Sequence, residues 1–267
     1  MTRVQSMALM VLLCVLSADV VDATSEVTSP SDFILTEAEQ ERILDLFQAT
    51  REKISPDGTL ELTYDFETED RSLGDDWFPS PAVRSAEVRW SRNYEGISEG
   101  VSGGVIISDS GQWFHDAVWQ PDVRVEATYV SFLGGSRGDL VAAVFAWGKS
   151  LRQRVGSNLG TQLVRISGTK AVGGMGKAPV ICYEEHTKFG FELKNGSFSS
   201  LLNGHAKQQS DSKKLLKNLG PGQVGIIWRG TINGILPKLK ITGKIDIAWA
   251  AQQIPSLQKR IEAHQKK

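Results

Sequence analysis

Three acidic side chains with alternating spacing are the first candidates for chemistry. The stretch "DFETE" places Asp65, Glu67 and Glu69 at every second position. Successive side chains of a strand point to opposite faces, so these three would project together, opposite Tyr64 and Phe66. Carboxylates on one face can serve as acid and as nucleophile or base in glycosidic bond cleavage. We favour the alternative, a solvated strand face that runs into a polar loop.

Aromatic and basic side chains form a second candidate set. On a regular strand Trp113, His115 and Trp119 would share a face, which is a binding platform if that face is open and core if it points inward. Indoles stack on the apolar C–H faces of sugar rings, while arginines bond the hydroxyl groups. Arg152 and Arg154 would flank the same groove or belong to a solvated face. The candidate ligand-binding residues are Trp113, His115, Trp119, Trp147, Arg152 and Arg154.

Other catalytic and metal motifs have little support. His115 and Asp116 are neighbours on a strand and would point to opposite faces, so they do not predict a base with an orienting carboxylate. The sequence has no His-Glu-x-x-His motif, paired cysteines or clustered histidines. The acidic pair in "GDD", at residues 74–76, is small for calcium, which takes six to eight oxygen ligands. We therefore assign no catalytic residue, metal or cofactor.

The first 23 residues predict a secretory signal peptide. Arg3 precedes an apolar run from Met7 to Leu16, and Val21 and Ala23 suit a signal peptidase site. That run is half the roughly 20 residues that a membrane-spanning helix needs. We therefore expect a secreted protein, extracellular or periplasmic, without a stable membrane anchor after cleavage. Cys182 would then be the sole cysteine, so the apolar core would hold the fold without an internal disulfide.

Length and charge limit the remaining classes. Removing residues 1–23 from the 267-residue chain would leave 244, which suits one large β-domain. The formal net charge of −1 gives no electrostatic footprint for nucleic acid. No pattern indicates an oligomeric state. The expected organisation is a signal peptide (1–23), a polar lead-in with an amphipathic helix (24–58), a β-sandwich (59–249) and a helical tail (250–267).

Helical patterns occur near the two ends of this organisation. Thr36 to Glu39 has the capping-box order and is followed by apolar residues at helical spacing, which predicts a helix over about 36–53 that ends before Pro56 and Gly58. The stretch "IPSLQKRIEAHQKK" predicts a short terminal helix.

From Thr59 onward the hydrophobic period is two, as in half-buried strands. Gly-rich segments separate the strands. The predicted strands cover 59–67, 87–92, 101–108, 113–119, 123–133, 140–147, 162–167, 180–184, 188–194, 197–202, 223–229 and 237–242.

An Asn-Gly pair fixes the register of one hairpin. Both residues of such a two-residue turn take positive φ. With Asn195-Gly196 as the turn, Leu193 faces Phe198 and Phe189 faces Leu202, so the apolar side chains share one face. The second pair, Asn203-Gly204, fits less well, because Lys207 would oppose Ser200 on the core face. That arm is either an exposed edge strand or a loop.

These patterns predict an all-β fold of two antiparallel sheets packed face to face, with an N-terminal helix and a short C-terminal helix. Three blocks resemble the concanavalin A-like domains of lectins, laminin-G-like modules, secreted glucanases and 3-keto-disaccharide hydrolase-like proteins. They are "LTYDFE" with Trp77, "VRW" and "SGGVII"; "FGFELKNGSFSSLLNG"; and "GPGQVGIIWRG" with "LPKLKITGKID". Together they span roughly Leu60 to Ile247.

The resemblance implies that the two antiparallel sheets form a jelly-roll sandwich, a curved double sheet that often binds carbohydrate on the concave face or at the loop rim. Glucanases of this family carry Glu-x-Asp-x-Glu on one strand in the middle of the domain. Here "DFETE" has another order of residue types and lies on the first strand, which disfavours an enzyme of that kind. Fold alone leaves function open.

Three functions therefore compete. The leading interpretation is a secreted, non-catalytic β-sandwich that binds a polysaccharide, glycoconjugate or other envelope component. The first alternative is a glycoside hydrolase or lyase that uses Asp65, Glu67, His115 or Arg154 in the concave cleft. The second is a structural envelope module in which the N-terminal helix packs on the sandwich or on a partner.

Overall fold

The computed structural model describes most of the chain after residue 32. The described residues are 33–67, 76–79, 89–91, 103–131, 140–148, 151, 153–158, 162–167, 170–175, 186–210, 216 and 218–265. The expected signal peptide, Arg152, Cys182 and the strand expected over 180–184 lie outside them.

Three helices flank the sheet region of the described chain. Helix α1 (Glu37–Leu44) begins with the expected capping box, since Glu39 accepts bonds from the Thr36 backbone N–H and hydroxyl. Helix α2 (Ile247–Gln253) is capped by Asp246, whose carboxylate accepts the Trp249 N–H. Helix α3 (Pro255–Gln265) begins with proline, whose fixed φ suits the first helical position.

The strands carry most of the described chain. Their bounds are β1 (Arg51–Ile54), β2 (Thr59–Asp65), β3 (Trp77–Pro79), β4 (Arg89–Ser91), β5 (Gly104–Ser131), β6 (Leu140–Trp147), β7 (Gln153–Asn158), β8 (Gln162–Ser167), β9 (Lys170–Met175), β10 (His186–Lys194), β11 (Ser197–Leu202), β12 (His205–Ser210) and β13 (Gly222–Ile245).

Two very long strands, β5 and β13, run through both layers of the sandwich. Residues 222–236 of β13 pair with 119–105 of β5, and residues 234–245 pair with 131–119. In both ladders the partner numbers fall as the β13 numbers rise, so the strands run antiparallel. Each strand therefore bends once and contributes one half to each sheet.

The remaining strands extend these two shared pairs. The first sheet has the order β9-β8-β7-β6-β13-β5, with β3 and β4 on the far side of β5. The second sheet has the order β12-β11-β10-β5-β13-β2-β1. The all-β antiparallel sandwich with a helix near each end is therefore confirmed.

The main core lies between the two sheets. Trp119 and Phe145 reach it from the first sheet, and Phe191 and Ile241 reach it from the second. All four are 0% exposed, so this interior excludes solvent. Ser157 of β7 and Ser200 of β11 share a buried hydrogen bond of 2.6 Å, which satisfies two polar groups there.

The Asn-Gly hairpin has the expected register. Leu193 pairs with Phe198, and Phe189 pairs with Leu202. Asn195 and Gly196 both have positive φ, at 51° and 71°. The second Asn-Gly turn leads into the edge strand β12, where a bulge after Ser200 pairs that residue with Gln208 rather than with Lys207.

Three expectations about element boundaries were wrong. Helix α1 ends at Leu44, and residues 51–54 form a strand instead of its last turns, because the tight turn at Gly58 folds β1 back onto β2. The three strands expected between 101 and 133 are one strand. The two strands expected between 223 and 242 are also one, since the backbone stays extended through the irregular pairing between Trp228 and Ile232.

The two ends of the described chain pack on each other. Arg260 of α3 forms an ion pair with Glu39 of α1 at 2.6 Å and lies 4.1 Å from the ring centroid of Phe33. Within the described residues, no helix has the length and apolar character to cross a membrane.

A substitution at Gly190 tests how closely β10 packs against β5. A Cβ at this position of β10 would overlap the Val125 carbonyl oxygen on β5. We expect Gly190→Ala to lower the free energy of unfolding by about 3 kcal/mol, measured by urea denaturation. Gly196→Ala is the control: nothing lies within 4 Å, so it should cost about 1 kcal/mol for its positive φ alone. Equal losses of unfolding free energy in the two variants would contradict this close packing.

Candidate functional site

The first sheet has a second apolar surface on the side turned away from the main core. We call this surface the outer face of the first sheet. It is formed by Phe114, Ala142, Val144, Ala146 and Ile227, each 0% exposed. Phe78 and Leu151 are half-buried against it. Successive side chains of a strand point to opposite faces, so the sequence neighbours Phe145 and Ile226 face the main core instead.

A guanidinium and an amide lie among these apolar residues. Arg154 on β7 donates to the Gln112 side-chain oxygen on β5 at 2.6 Å, and its Nε donates to the Leu151 carbonyl. The guanidinium carbon lies 5.0 Å from the Phe114 ring centroid. Arg154 is 4% exposed and Gln112 is 1% exposed. Burial lowers the pKa of Arg154, although a guanidinium stays charged.

Polar groups at one end of this face reach solvent. Asp116 is exposed, and Gln223 is half-buried and donates to the Asp116 backbone carbonyl at 3.0 Å. Asp116 continues the row of alternate side chains on β5 that contains Gln112 and Phe114, and Gln223 lies on the neighbouring strand β13. Leu151 has a φ of 52°, which is rare for a large side chain and turns its carbonyl toward Arg154. The outer face therefore combines an apolar floor, fixed donors and a polar margin.

The predicted aromatic set does not form this surface. Trp113, His115 and Trp119 do share a face of β5, but that face packs in the main core, where His115 and Trp119 are 0% exposed and Trp113 is half-buried. Trp147 is also in the core, at 4% exposure. Of the six candidate residues, Arg154 alone is placed on the outer face, and Arg152 lies outside the described residues.

His115 belongs to a buried polar network that links the two sheets. Its Nδ1 accepts the Ala117 N–H at 3.1 Å, so the neutral ring carries its proton on Nε2 and donates to the Tyr64 hydroxyl at 2.8 Å. Tyr64 then donates to Asp76 at 2.7 Å, and the Gln48 backbone N–H donates to the same oxygen. His115 lies on the first sheet and Tyr64 on the second.

Burial controls the protonation of this network. Desolvation lowers the pKa of His115 to about 3, so the ring is neutral at physiological pH. Desolvation and then the Asp76 carboxylate raise the pKa of Tyr64 well above its ordinary value, so its hydroxyl keeps its proton. Asp116 is exposed on the opposite face from His115, as strand alternation requires.

The acidic stretch "DFETE" begins on the second sheet and therefore lies away from the outer face of the first sheet. Asp65 belongs to the outer face of the second sheet, where Lys238 lies 3.4 Å from its carboxylate. Glu67 follows the end of β2 and is half-buried, which raises its pKa. Glu69 lies outside the described residues. The favoured interpretation of "DFETE" as a solvated face agrees with these positions.

Gln112 and Asp76 are the residues that sequence reasoning missed. Gln112 lies two residues before Phe114, so alternation places it on the same face, but only the fold brings Arg154 beside it. Sequence reasoning considers Asp76 only as part of a calcium site, whereas it accepts from Tyr64, which in turn bonds His115; this contact depends on pairing of distant segments and has no local signal in the sequence. Among the described side chains, no group of three or more histidines, cysteines or carboxylates is arranged to hold a metal ion.

Comparison with known proteins gives likenesses in structure alone. No family model matches the chain, and no curated protein matches its sequence. An apo Crh5 transglycosylase aligns over 68% of this chain and 84% of that chain, at 10% identity and a TM-score of 0.47. A Bacillus licheniformis β-glucanase aligns over 69% and 98%, at 9% identity and 0.45. The carbohydrate-binding module CBM66 from Bacillus subtilis aligns over 64% and 93%, at 12% identity and 0.39.

The two antiparallel sheets of this chain, with β5 and β13 shared between them, form the sandwich that the sequence patterns predict. At such identities and TM-scores the likenesses assign no ligand, activity or site to this chain.

The His115 network makes stability depend on pH. The unfolded histidine has a pKa near 6.5, whereas the native one is about 3. Between these values the unfolded chain binds a proton that the native protein does not. Stability from His115 is therefore complete above pH 6.5 and should fall by about 1.4 kcal/mol per unit on acidification. Urea denaturation between pH 7.5 and 4.5 measures this slope.

Two variants isolate the contribution of His115. His115→Gln keeps a donor near the Nε2 position and removes the titrating ring, so its free energy of unfolding should fall less steeply with acidification than that of the wild type. His186→Gln changes an exposed histidine and should retain the wild-type slope. Indistinguishable slopes for the wild type and His115→Gln would refute the assignment.

Proposed function

We propose that the protein is an exported, non-catalytic glycan-binding β-sandwich whose ligand lies on the outer face of the first sheet. The observation that carries this proposal is the Arg154 guanidinium, fixed by Gln112 and Leu151 above the Phe114 ring. Sugars present hydroxyl oxygens beside apolar C–H faces. A rigid guanidinium and an amide on an apolar floor match both features.

The geometry favours binding over turnover. Glycosidic cleavage generally uses two carboxyl groups about 5 to 9.5 Å apart on either side of the scissile bond. Among the described side chains of the outer face, Asp116 is the single carboxylate, while Asp65 lies on the second sheet. His115 is closed within the core and neutral, so it is not a base for a ligand on this face.

The burial of Arg154 and Gln112 sets a condition on binding. At 4% and 1% exposure, they cannot contact a ligand unless neighbouring groups first move, and we infer that the ligand would enter from the margin at Asp116 and Gln223. Association that requires such a change is slower than docking to a preformed surface. We therefore expect slow association with a ligand that enters from this end of the sheet.

Affinity electrophoresis in polysaccharide gels, followed by calorimetry on retained glycans, tests the proposal. We expect retention on at least one glycan, without release of reducing ends. Arg154→Met should weaken binding at least 10-fold, since one charge-assisted bond contributes about 1.5 to 3 kcal/mol.

Arg124→Met is the matched control for this test. Arg124 lies on the outer face of the second sheet, where it pairs with Glu126 at 3.0 Å, and its loss should leave affinity unchanged. Retention on no glycan across a broad panel would overturn the binding function. Release of reducing sugars would overturn its non-catalytic character.

Export rests on residues 1–23. The apolar run from Met7 to Leu16, with Arg3 before it, supports cleavage after Ala23. We expect the mature protein to begin at Thr24, as read by mass spectrometry of the exported fraction. Leu12→Arg should block export because it charges the apolar run, whereas Ser6→Ala outside the run should not. An exported protein that keeps residues 1–23 would contradict this processing.

A further inference from the structure

The tip of the hairpin between β10 and β11 carries an acceptor motif for N-linked glycosylation. Asn195, Gly196 and Ser197 fit the pattern Asn-x-Ser/Thr in which x is not proline. The chain has six asparagines, and Asn195 is the one that is followed two residues later by serine or threonine. The second Asn-Gly turn lacks the motif, because His205 stands where the hydroxyl residue is required.

The fold presents this asparagine to solvent. Asn195 and Gly196 are exposed, and nothing lies within 4 Å of a Cβ placed on Gly196. Within the part of the chain that the structure describes, no hydrogen bond or ion pair engages the Asn195 side-chain amide. At the second turn, by contrast, the Asn203 side-chain oxygen accepts the Lys188 backbone N–H at 3.2 Å. The Asn195 amide is therefore accessible and is not needed to hold its turn.

The turn also leaves room for a large substituent. The φ values of Asn195 and Gly196, 51° and 71°, are those that a two-residue hairpin turn requires of its backbone. The ladder is complete up to the turn, since Lys194 pairs with Ser197. A glycan on the Asn195 amide would extend into solvent without breaking a backbone hydrogen bond or entering the core. The sandwich can therefore form on a chain that already carries the sugar.

We propose that Asn195 is N-glycosylated during export. The inference rests on the export proposed above, since the acceptor must meet an oligosaccharyltransferase in the secretory pathway. The donor class is an oligosaccharide joined to a polyprenyl lipid through a diphosphate. The Asn195 Nδ2 forms a bond to the anomeric carbon of the first sugar, and the bond from that carbon to the diphosphate oxygen breaks. Its electron pair leaves with the lipid diphosphate, and one Nδ2 proton passes to a base of the transferase.

Two serines on β11 provide a matched pair of variants. Ser197→Ala removes the hydroxyl of the motif and keeps the Asn195-Gly196 turn, so the glycan should be lost while the far-ultraviolet circular dichroism of the sandwich is retained. Ser199→Ala makes the same change at the next half-buried position on the same face of the strand. It leaves the motif intact, so the glycan should remain.

Mass spectrometry of the exported protein, produced in its native source, measures the modification before and after treatment with peptide N-glycosidase. We expect the wild type and Ser199→Ala to carry a glycan that the enzyme removes, leaving aspartate at position 195. Ser197→Ala should have the mass of the bare polypeptide. Exported wild type with an unmodified Asn195, or a glycan that persists in Ser197→Ala, would overturn this site and leave export and glycan binding standing. Failure of export would remove the site together with its premise, whereas retention on no polysaccharide would overturn the binding function alone.

Discussion

The two strands that pass through both sheets constrain everything else in the fold. Because β5 and β13 pair with each other in each layer, a shift in register in one sheet would carry into the other. Each bend keeps the alternation of side chains and sends one side of both strands into the shared interior. The position of Gln112 on one face and of His115 on the other follows from side-chain alternation along β5 rather than from local loops.

The outer faces of the two sheets differ in kind. On the second sheet, Lys240 meets Glu61 at 2.9 Å and Lys238 meets Asp65, both half-exposed pairs of the type that contributes about 0 to 1 kcal/mol. Such a surface favours solubility. On the first sheet Arg154 is buried above the Phe114 ring and opposite Ala146, at 4% exposure. The two outer faces therefore differ in burial and charge, and the proposed ligand site lies on the first.

Period-two alternation was enough to predict the sandwich and the exact pairing of Leu193 with Phe198, because turn chemistry and pattern agreed there. It also predicted that Trp113, His115 and Trp119 share a face. Alternation assigns residues to faces but does not say which face points inward, since that depends on the layer packed against them. The Arg154 and Gln112 pair depends on strands 42 residues apart in sequence, so local spacing carries no sign of it.

The buried His115, Tyr64 and Asp76 chain has the residue types of an acid-base relay but the physical properties of a structural link. Its three members come from different parts of the chain: His115 from the first sheet, Tyr64 from the second sheet, and Asp76 from the segment before β3. Asp76 also accepts the backbone N–H of Gln48. A catalytic base works best with a pKa near the operating pH and within reach of substrate, whereas His115 has a pKa of about 3 and is fully buried. Such a network contributes most when every member is satisfied, and His115 has partners for both ring nitrogens. Its role is therefore to fix one sheet against the other, while the proposed ligand site lies on the opposite face of β5.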